Sequence, residues 1–118
     1  MHAEIKNKTS KVIMLTEIIE LLLRETMKGQ RGSVYYFTPR KINTFLLLHN
    51  IRIYPGHFNI IYDVLRCIAG KIGGEDLTIK RRTDTTSKSK PIIAIPTSII
   101  NYDIHELVVE CIGEVSYG

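Results

Sequence analysis

Hydrophobic and polar positions repeat with helical spacing in the first third of the chain. Over residues 12–27 an apolar side chain returns every three or four positions, while Glu17, Glu20 and Arg24 share the opposite face. This pattern predicts an amphipathic helix over 12–27. The polar residues before it, 1–11, are predicted to form a flexible N-terminal segment.

Two further helices are predicted in the middle of the chain. Thr38 followed by Pro39 is typical of a helix start, because the threonine oxygen accepts a backbone N–H and proline has none to satisfy. The second helix is therefore predicted from Pro39 to Leu48. The third is predicted over 56–69, where apolar residues cover most of the circumference. The connection HNIRIY, 49–54, predicts a short strand or an extra turn.

The remaining segments predict strands and a last helix. SVYYF at 33–37 is rich in β-branched and aromatic residues, and DLTIKRR at 76–82 with PIIAI at 91–95 predicts a hairpin with a long polar tip. Asp103 and Glu106 have the spacing of a capping box at the start of a final helix with an acidic outer face. The apolar stripe of that helix comprises Ile104, Leu107, Val108, Cys111, Ile112 and Val115.

Charge is segregated along the chain. Residues 78–93 carry a net charge of +4, which equals the formal charge of the whole protein. Residues 28–41 hold further basic residues and no acid, whereas residues 101–118 hold four acids and neither Lys nor Arg. The basic residues of the predicted hairpin are Lys80, Arg81, Arg82, Lys88 and Lys90.

Composition limits the class of protein. With 118 residues the chain has the length of one domain, and it contains no apolar run long enough for a membrane span. We expect a cytoplasmic protein, because residues 1–20 do not resemble a signal peptide. Cys67 and Cys111 are isolated in the sequence among apolar neighbours, which favours reduced, buried thiols over a disulfide.

The sequence predicts neither an enzyme nor a cofactor. Its four histidines and two cysteines show no metal-binding spacing, and GKIGGED lacks the spacing of a phosphate-binding loop. No arrangement of a nucleophile and a base can be nominated either. We expect no metal, no cofactor and no identifiable small-molecule ligand.

The predicted elements over 12–96 follow the order helix, strand, helix, helix, strand, basic loop and strand. This order resembles that of the winged helix-turn-helix DNA-binding domains of small archaeal, viral and bacterial transcriptional regulators. The resemblance implies an α+β fold with a three-helix core and a β-hairpin wing at 78–93. Residues 97–118 would add a C-terminal amphipathic helix that either completes the core or forms a dimer.

The resemblance also implies a function and the residues that perform it. We expect a protein that binds double-stranded DNA and regulates transcription, with the third helix in the major groove. Phosphates and the minor groove would be contacted by the wing. The implied DNA-binding residues are Arg40 and Lys41 on the second helix, His57, Asn59, Asp63 and Arg66 on the third, and Lys80, Arg81, Arg82, Lys88 and Lys90 on the wing.

Several alternatives stay open. The stripe of the last helix could pack against the first helix of its own chain or against a second copy, and we expect the homodimer. The basic loop could be a solvated hairpin that protects a sheet edge, and Asp63 with Arg66 could be a simple surface pair. A protein adaptor in a replication or transcription assembly is the second function considered, and a single-stranded nucleic-acid binder using Tyr35, Tyr36 and Tyr54 is the third.

Overall fold

The structure, a computed structural model, describes residues 2–77 and 92–117, with side chains over 10–74 and 92–115. These residues form a mixed α+β fold with four α-helices and one three-stranded antiparallel sheet. None of the described helices is both long and apolar enough to cross a membrane. The elements are α1 (His2–Met27), β1 (Val34–Phe37), α2 (Pro39–Leu48), α3 (Pro55–Ile72), β2 (Glu75–Leu77), β3 (Ile92–Pro96), a 3₁₀ helix (Thr97–Asn101) and α4 (Ile104–Tyr117).

The sheet has the order β1-β3-β2, so the last strand in sequence is the central one. Phe37 at the end of β1 is the register partner of Ile93, and Leu77 at the end of β2 is the partner of Ile92. The prediction of strands near 33–37 and 91–95 is confirmed. Most of the strand predicted at 76–82 lies outside the described residues.

One hydrophobic core joins the helices to the sheet. The third helix is central, since α3 contacts α1, α4, β2 and β3. This position explains why apolar residues cover most of its circumference. The largest fully buried side chains are Tyr62, Phe37, Leu15, Ile19, Leu22, Leu23, Ile42, Ile61, Leu65, Ile68, Ile93 and Ile95.

The first helix is longer than the pattern predicts. We expected it to begin at residue 12, but α1 begins at His2, so the predicted flexible segment contributes its first turns. Residues 2–11 contain neither proline nor glycine, and therefore nothing in them stops a helix from extending toward the N-terminus.

The boundaries of α2 agree with the prediction and have local causes. The Oγ1 atom of Thr38 accepts the backbone N–H of Lys41 at 3.2 Å, which caps the first turn. At the other end Asn50 adopts a left-handed conformation with φ of 55°, and the N–H of Ile51 donates to the carbonyl of Leu46 at 2.8 Å. The connection to α3 thus holds a helix-ending turn and no strand.

The end of α3 is a point of close approach between a helix and the sheet. Gly73 has a left-handed φ of 86°, and the N–H of Gly74 donates to the carbonyl of Ala69 at 2.7 Å. A Cβ atom placed on Gly74 would overlap the carbonyl oxygen of Ala94 in β3. Only glycine fits where the chain passes from α3 into β2.

The cysteine prediction is wrong, because Cys67 on α3 and Cys111 on α4 form a disulfide. Their Cα atoms lie 5.8 Å apart, which is ordinary disulfide spacing. The residues are separated by 44 positions in sequence and meet because α3 and α4 pack side by side. Hydrophobic periodicity identifies the face on which each cysteine lies, but it does not identify the helix opposite.

The apolar stripe of α4 is covered within its own chain. Ile104, Val108, Cys111 and Ile112 are buried in the common core, where α4 contacts α1 and α3. Leu107 and Val115 are partly buried and pack against the same core. Of the two alternatives for this stripe, the structure has the core-completing one, so a dimer would need a different surface.

Candidate nucleic-acid interface

The longest stretch of the chain without an acidic residue runs from residue 26 to residue 62. This segment, called the acid-free segment below, contains no Asp or Glu. Its five cations are all exposed, and none has an ion-pair partner within the described residues. They are Lys28 and Arg31 after α1, Arg40 and Lys41 in the first turn of α2, and Arg52 before α3.

The two predicted phosphate contacts of α2 are placed differently by the structure. Arg40 is exposed at the N-terminal end of the helix, where the helix dipole favours an anion. Lys41 is held against β1, since its Nζ donates to the carbonyl of Tyr36 at 2.9 Å and lies 4.6 Å from the ring centroid of Tyr35. Arg40 is therefore better placed than Lys41 to contact a phosphate.

Lys41 also protects a sheet edge. The N–H of Thr97 donates to the carbonyl of Ser33, so alternate residues of β1 bond to β3 and the carbonyl of Tyr36 faces the outer edge. The ammonium group of Lys41 donates a hydrogen bond to that carbonyl, which hinders another strand from pairing with this edge. Nothing in the sequence indicates this role, because it depends on the register of β1 with β3.

The sheet register brings α2 and the basic segment to the same end of the sheet. Phe37, one residue before the Thr38 cap of α2, is paired with Ile93. The neighbouring pair is Leu77 with Ile92, which flank the segment 78–91. Both attachment points of that segment are consequently at the end of the sheet where α2 begins, Ile92 one strand spacing of about 5 Å from β1 and Leu77 two.

The predicted wing contacts fall on residues outside the described part of the chain. These are Lys80, Arg81, Arg82, Lys88 and Lys90. Their role as DNA contacts stays a prediction that rests on their charge and on where β2 ends and β3 begins.

The polar stripe of α3 is exposed as predicted. Asn59, Asp63 and Arg66 all face solvent. The Nη1 atom of Arg66 lies 3.9 Å from the Oδ1 atom of Asp63, and pairs of this kind on one helix contribute about 0.2–0.5 kcal/mol. The carboxylate lowers the positive potential at Arg66, so the stripe has little net charge to offer a phosphate.

His57 is less available than the prediction required. Its side chain is half-buried, and its ring makes an edge contact with the ring of Tyr54 at a centroid distance of 5.4 Å. Its Nδ1 atom is buried and has no hydrogen-bond partner in the described part of the chain. The phenol ring of Tyr54, which is exposed, is the group that this corner presents to solvent.

Sequence reasoning missed three exposed residues next to this interface. Arg52 is an exposed cation in the connection, while Leu47 and Leu48 are each 79% exposed at the end of α2. The run of three leucines at 46–48 indicates that at least one of them is exposed. Successive helical residues are about 100° apart, so three in a row cannot all face one core. Leu46 takes the core position.

Comparison with protein families, with curated proteins and with solved structures returns no match for this chain. Among the residues whose positions are described, no group of three His, Cys, Asp or Glu side chains is arranged to hold a metal ion. The described side chains of the interface are exposed cations, the Asp63–Arg66 pair and a few exposed apolar residues.

Proposed function

We propose that this chain is a winged-helix protein that binds double-stranded DNA, mainly through the phosphate backbone, and regulates transcription. The observation that carries the proposal is the sheet register. Phe37–Ile93 and Leu77–Ile92 are neighbouring pairs, so the first turn of α2 and the attachment points of the basic segment share one end of the sheet.

The proposed mechanism is neutralisation of phosphates by cations from two directions. Arg40 would contact one backbone strand at the N-terminus of α2, and the cations of segment 78–91 would contact phosphates beside the adjacent groove. Each neutralised phosphate releases counterions, which favours binding at low salt. The absence of acids from residues 26–62 supports this, since no carboxylate of that segment repels the duplex.

Base reading by α3 would be weaker than phosphate binding. Asn59 has the donor and acceptor needed for adenine, and Arg66 has the paired donors that suit guanine. Asp63 competes with a base for Arg66, because the two side chains already form an ion pair. We therefore propose modest sequence preference and strong dependence of affinity on salt.

The test is a titration of random duplex DNA at several salt concentrations. We expect the logarithm of the binding constant to fall with the logarithm of salt concentration with a slope of several units. Arg40→Gln and Arg81→Gln should each reduce the slope by about one. Lys71→Gln is the matched control, because it removes the same charge from a side chain of α3 that is paired with Glu114 on α4. This variant should leave the slope unchanged.

A second candidate function is favoured by a separate observation. The near-neutral stripe of Asn59, Asp63 and Arg66 would suit a protein adaptor better than a DNA-reading helix. Weak DNA binding that does not change with Arg40→Gln or Arg81→Gln would favour the adaptor. Competition between single- and double-stranded oligonucleotides in the same assay distinguishes a single-strand binder, which would prefer the former.

A further inference from the structure

Six of the exposed large apolar residues of the described chain fall into two groups along the sequence, and the charges near the two groups have opposite signs. The first, called the leucine patch, consists of Leu47, Leu48 and Tyr54 at the junction of α2 and α3. The second, called the acidic patch, consists of Ile100, Tyr102 and Val109 around the start of α4. Groups of exposed apolar residues with a polar border are found at protein interaction sites.

The leucine patch is apolar with a basic border. The bond from the N–H of Ile51 to the carbonyl of Leu46 folds the start of the connection back against the end of α2, and Tyr54 follows three residues later at the start of α3. Arg52 is exposed in this connection. The charged residues nearest to the patch in sequence, Lys41 and Arg52, are both cations.

The acidic patch is apolar with an acidic border. Val109 is 48% exposed on the outer face of α4, and Ile100 in the 3₁₀ helix is 63% exposed. The acids nearest to these residues in sequence are Asp103, Glu106 and Glu110, of which Glu110 already lies 3.8 Å from the Nζ atom of Lys71. The carboxylate of Asp103 accepts the backbone N–H of Glu106 at 3.1 Å, whereas the carboxylate of Glu106 has no ion-pair partner among the described residues.

We propose that the leucine patch of one copy of this chain docks on the acidic patch of a second copy. Apolar side chains would meet at the centre, and Arg52 of one copy would face Glu106 of the other. Pairing either patch with itself would place like charges opposite one another, which is unfavourable. The acidic patch of a second copy therefore complements both the apolar side chains and the positive charge of the leucine patch.

This contact would be head to tail, because two different patches meet. Such a contact leaves one free patch at each end of a dimer, so it builds a ring or an open chain of copies rather than a closed two-fold dimer. The leucine patch lies about 10 Å along α2 from Arg40, at 1.5 Å per residue, so the contact would not use the phosphate-binding turn. The proposal does not depend on DNA binding.

The test uses variants that block one patch at a time, measured by sedimentation or light scattering over a range of protein concentrations without DNA. One variant carries Leu47→Asp with Leu48→Asp, and the other carries Ile100→Asp with Val109→Asp. We expect the unaltered protein to grow beyond a dimer or to reach a fixed ring as concentration rises. Each blocked variant should remain a monomer, with an association at least about tenfold weaker.

Mixing the two blocked variants gives the decisive result. One still has its acidic patch and the other still has its leucine patch, so an equimolar mixture should form a 1:1 dimer and nothing larger. Ile13→Asp is the control, because Ile13 is exposed on α1 outside both patches and its replacement should leave assembly unchanged. Circular dichroism of each variant verifies that the fold is retained.

Three outcomes would overturn the proposal. The unaltered protein could remain a monomer at the highest concentration, which would exclude self-association through these patches. The variant blocked at Ile100 and Val109 could still form a dimer, which would indicate a two-fold contact between leucine patches. The mixture of blocked variants could stay monomeric, which would show that the two patches do not bind each other.

Discussion

The helices α2 and α4 are both amphipathic, but they use their outer faces in opposite ways. The stripe of α4 is buried between α1 and α3, and its outer face carries acids and no Lys or Arg. The end of α2 buries Leu46 and leaves Leu47 and Leu48 in solvent, while its first turn carries Arg40 and Lys41. The apolar stripe of α4 is thus covered by its own chain and stabilises the core. The exposed apolar and basic side chains of α2 are not covered by the described chain and are available to contact a partner.

The two helices also differ in how the rest of the chain holds them. On the α4 side a disulfide joins Cys67 to Cys111, and Lys71 of α3 pairs with Glu110 and Glu114. On the α2 side the described contacts are the Thr38 cap, the core residues and the attachment of Lys41 to β1. We therefore expect changes to the cysteines and to Lys71, which hold α4 against α3, to affect mainly stability, and changes to the exposed residues of α2 to affect mainly association.

The largest expected effect comes from opening the disulfide. In the chain-entropy description a cross-link between cysteines 44 residues apart stabilises the folded state by about 4 kcal/mol. Reduction, or Cys67→Ala with Cys111→Ala, should lower the free energy of unfolding by that amount in urea titrations. The double variant is its own control, since reductant should not change its stability further. Alkylation of both thiols in unreduced, folded protein would contradict the pairing.

Adjacent leucines of α2 give the next largest effect. Leu46 is 5% exposed, and replacing a buried leucine by alanine costs about 2–5 kcal/mol. Leu47→Ala should change the free energy of unfolding by less than about 0.5 kcal/mol, because the side chain is already in solvent. Chemical denaturation of the two variants measures the difference. Equal losses would mean that Leu47 is buried, and the distinction between the two helices would fail.

Features with local causes could be predicted from the sequence. The bounds of α2 agree because Thr38 and Pro39 act on their own helix and need no distant contact. The apolar circumference of α3, which the sequence shows, agrees with its contacts to α1, α4 and the sheet. The extension of α1 to His2 was missed because a continuous helix needs no start signal inside it.

Features that depend on register or on neighbouring helices could not be predicted. The disulfide requires that Cys67 and Cys111 face each other across two packed helices, which hydrophobic periodicity does not determine. The use of Lys41 at the edge of β1 requires the register of β1 with β3. For the candidate site, the sequence indicated which residues are charged, and the register then indicated which of them are attached at the same end of the sheet.

The helix cap Thr38 offers a moderate effect that separates stability from binding. Thr38→Ala removes the side-chain acceptor of the Lys41 N–H and should cost about 1 kcal/mol. Thr38→Asp keeps an acceptor and places an acid in the acid-free segment, as Asp103 does at the start of α4. The aspartate variant should therefore keep its stability but bind duplex DNA several-fold more weakly at low salt. Unchanged affinity would indicate that the first turn of α2 does not contact phosphates.

The smallest expected effect is a change of stability with pH that belongs to the α4 side alone. Lys71 Nζ lies 2.7 Å from Glu114 Oε2 and 3.8 Å from Glu110 Oε2. The hydrogen bond to Glu114 and the charges of both carboxylates raise the pKa of Lys71 above its ordinary value of 10.5. Because the folded-state pKa is raised, the stabilisation is fully present below the pKa of an unfolded lysine and is lost as pH rises through the folded value.

The measurement compares the free energy of unfolding of the unaltered protein with that of Lys71→Gln from pH 7 to 11. The difference should be small, since the pair is exposed and screened by salt, and it should be constant near neutrality and shrink above about pH 10. Arg24→Gln is the matched control, because Arg24 pairs with Glu20 on α1 and its guanidinium does not titrate in this range. The difference for Arg24→Gln should stay constant. A difference for Lys71→Gln that remained constant to pH 11 would show that Lys71 contributes nothing through its charge.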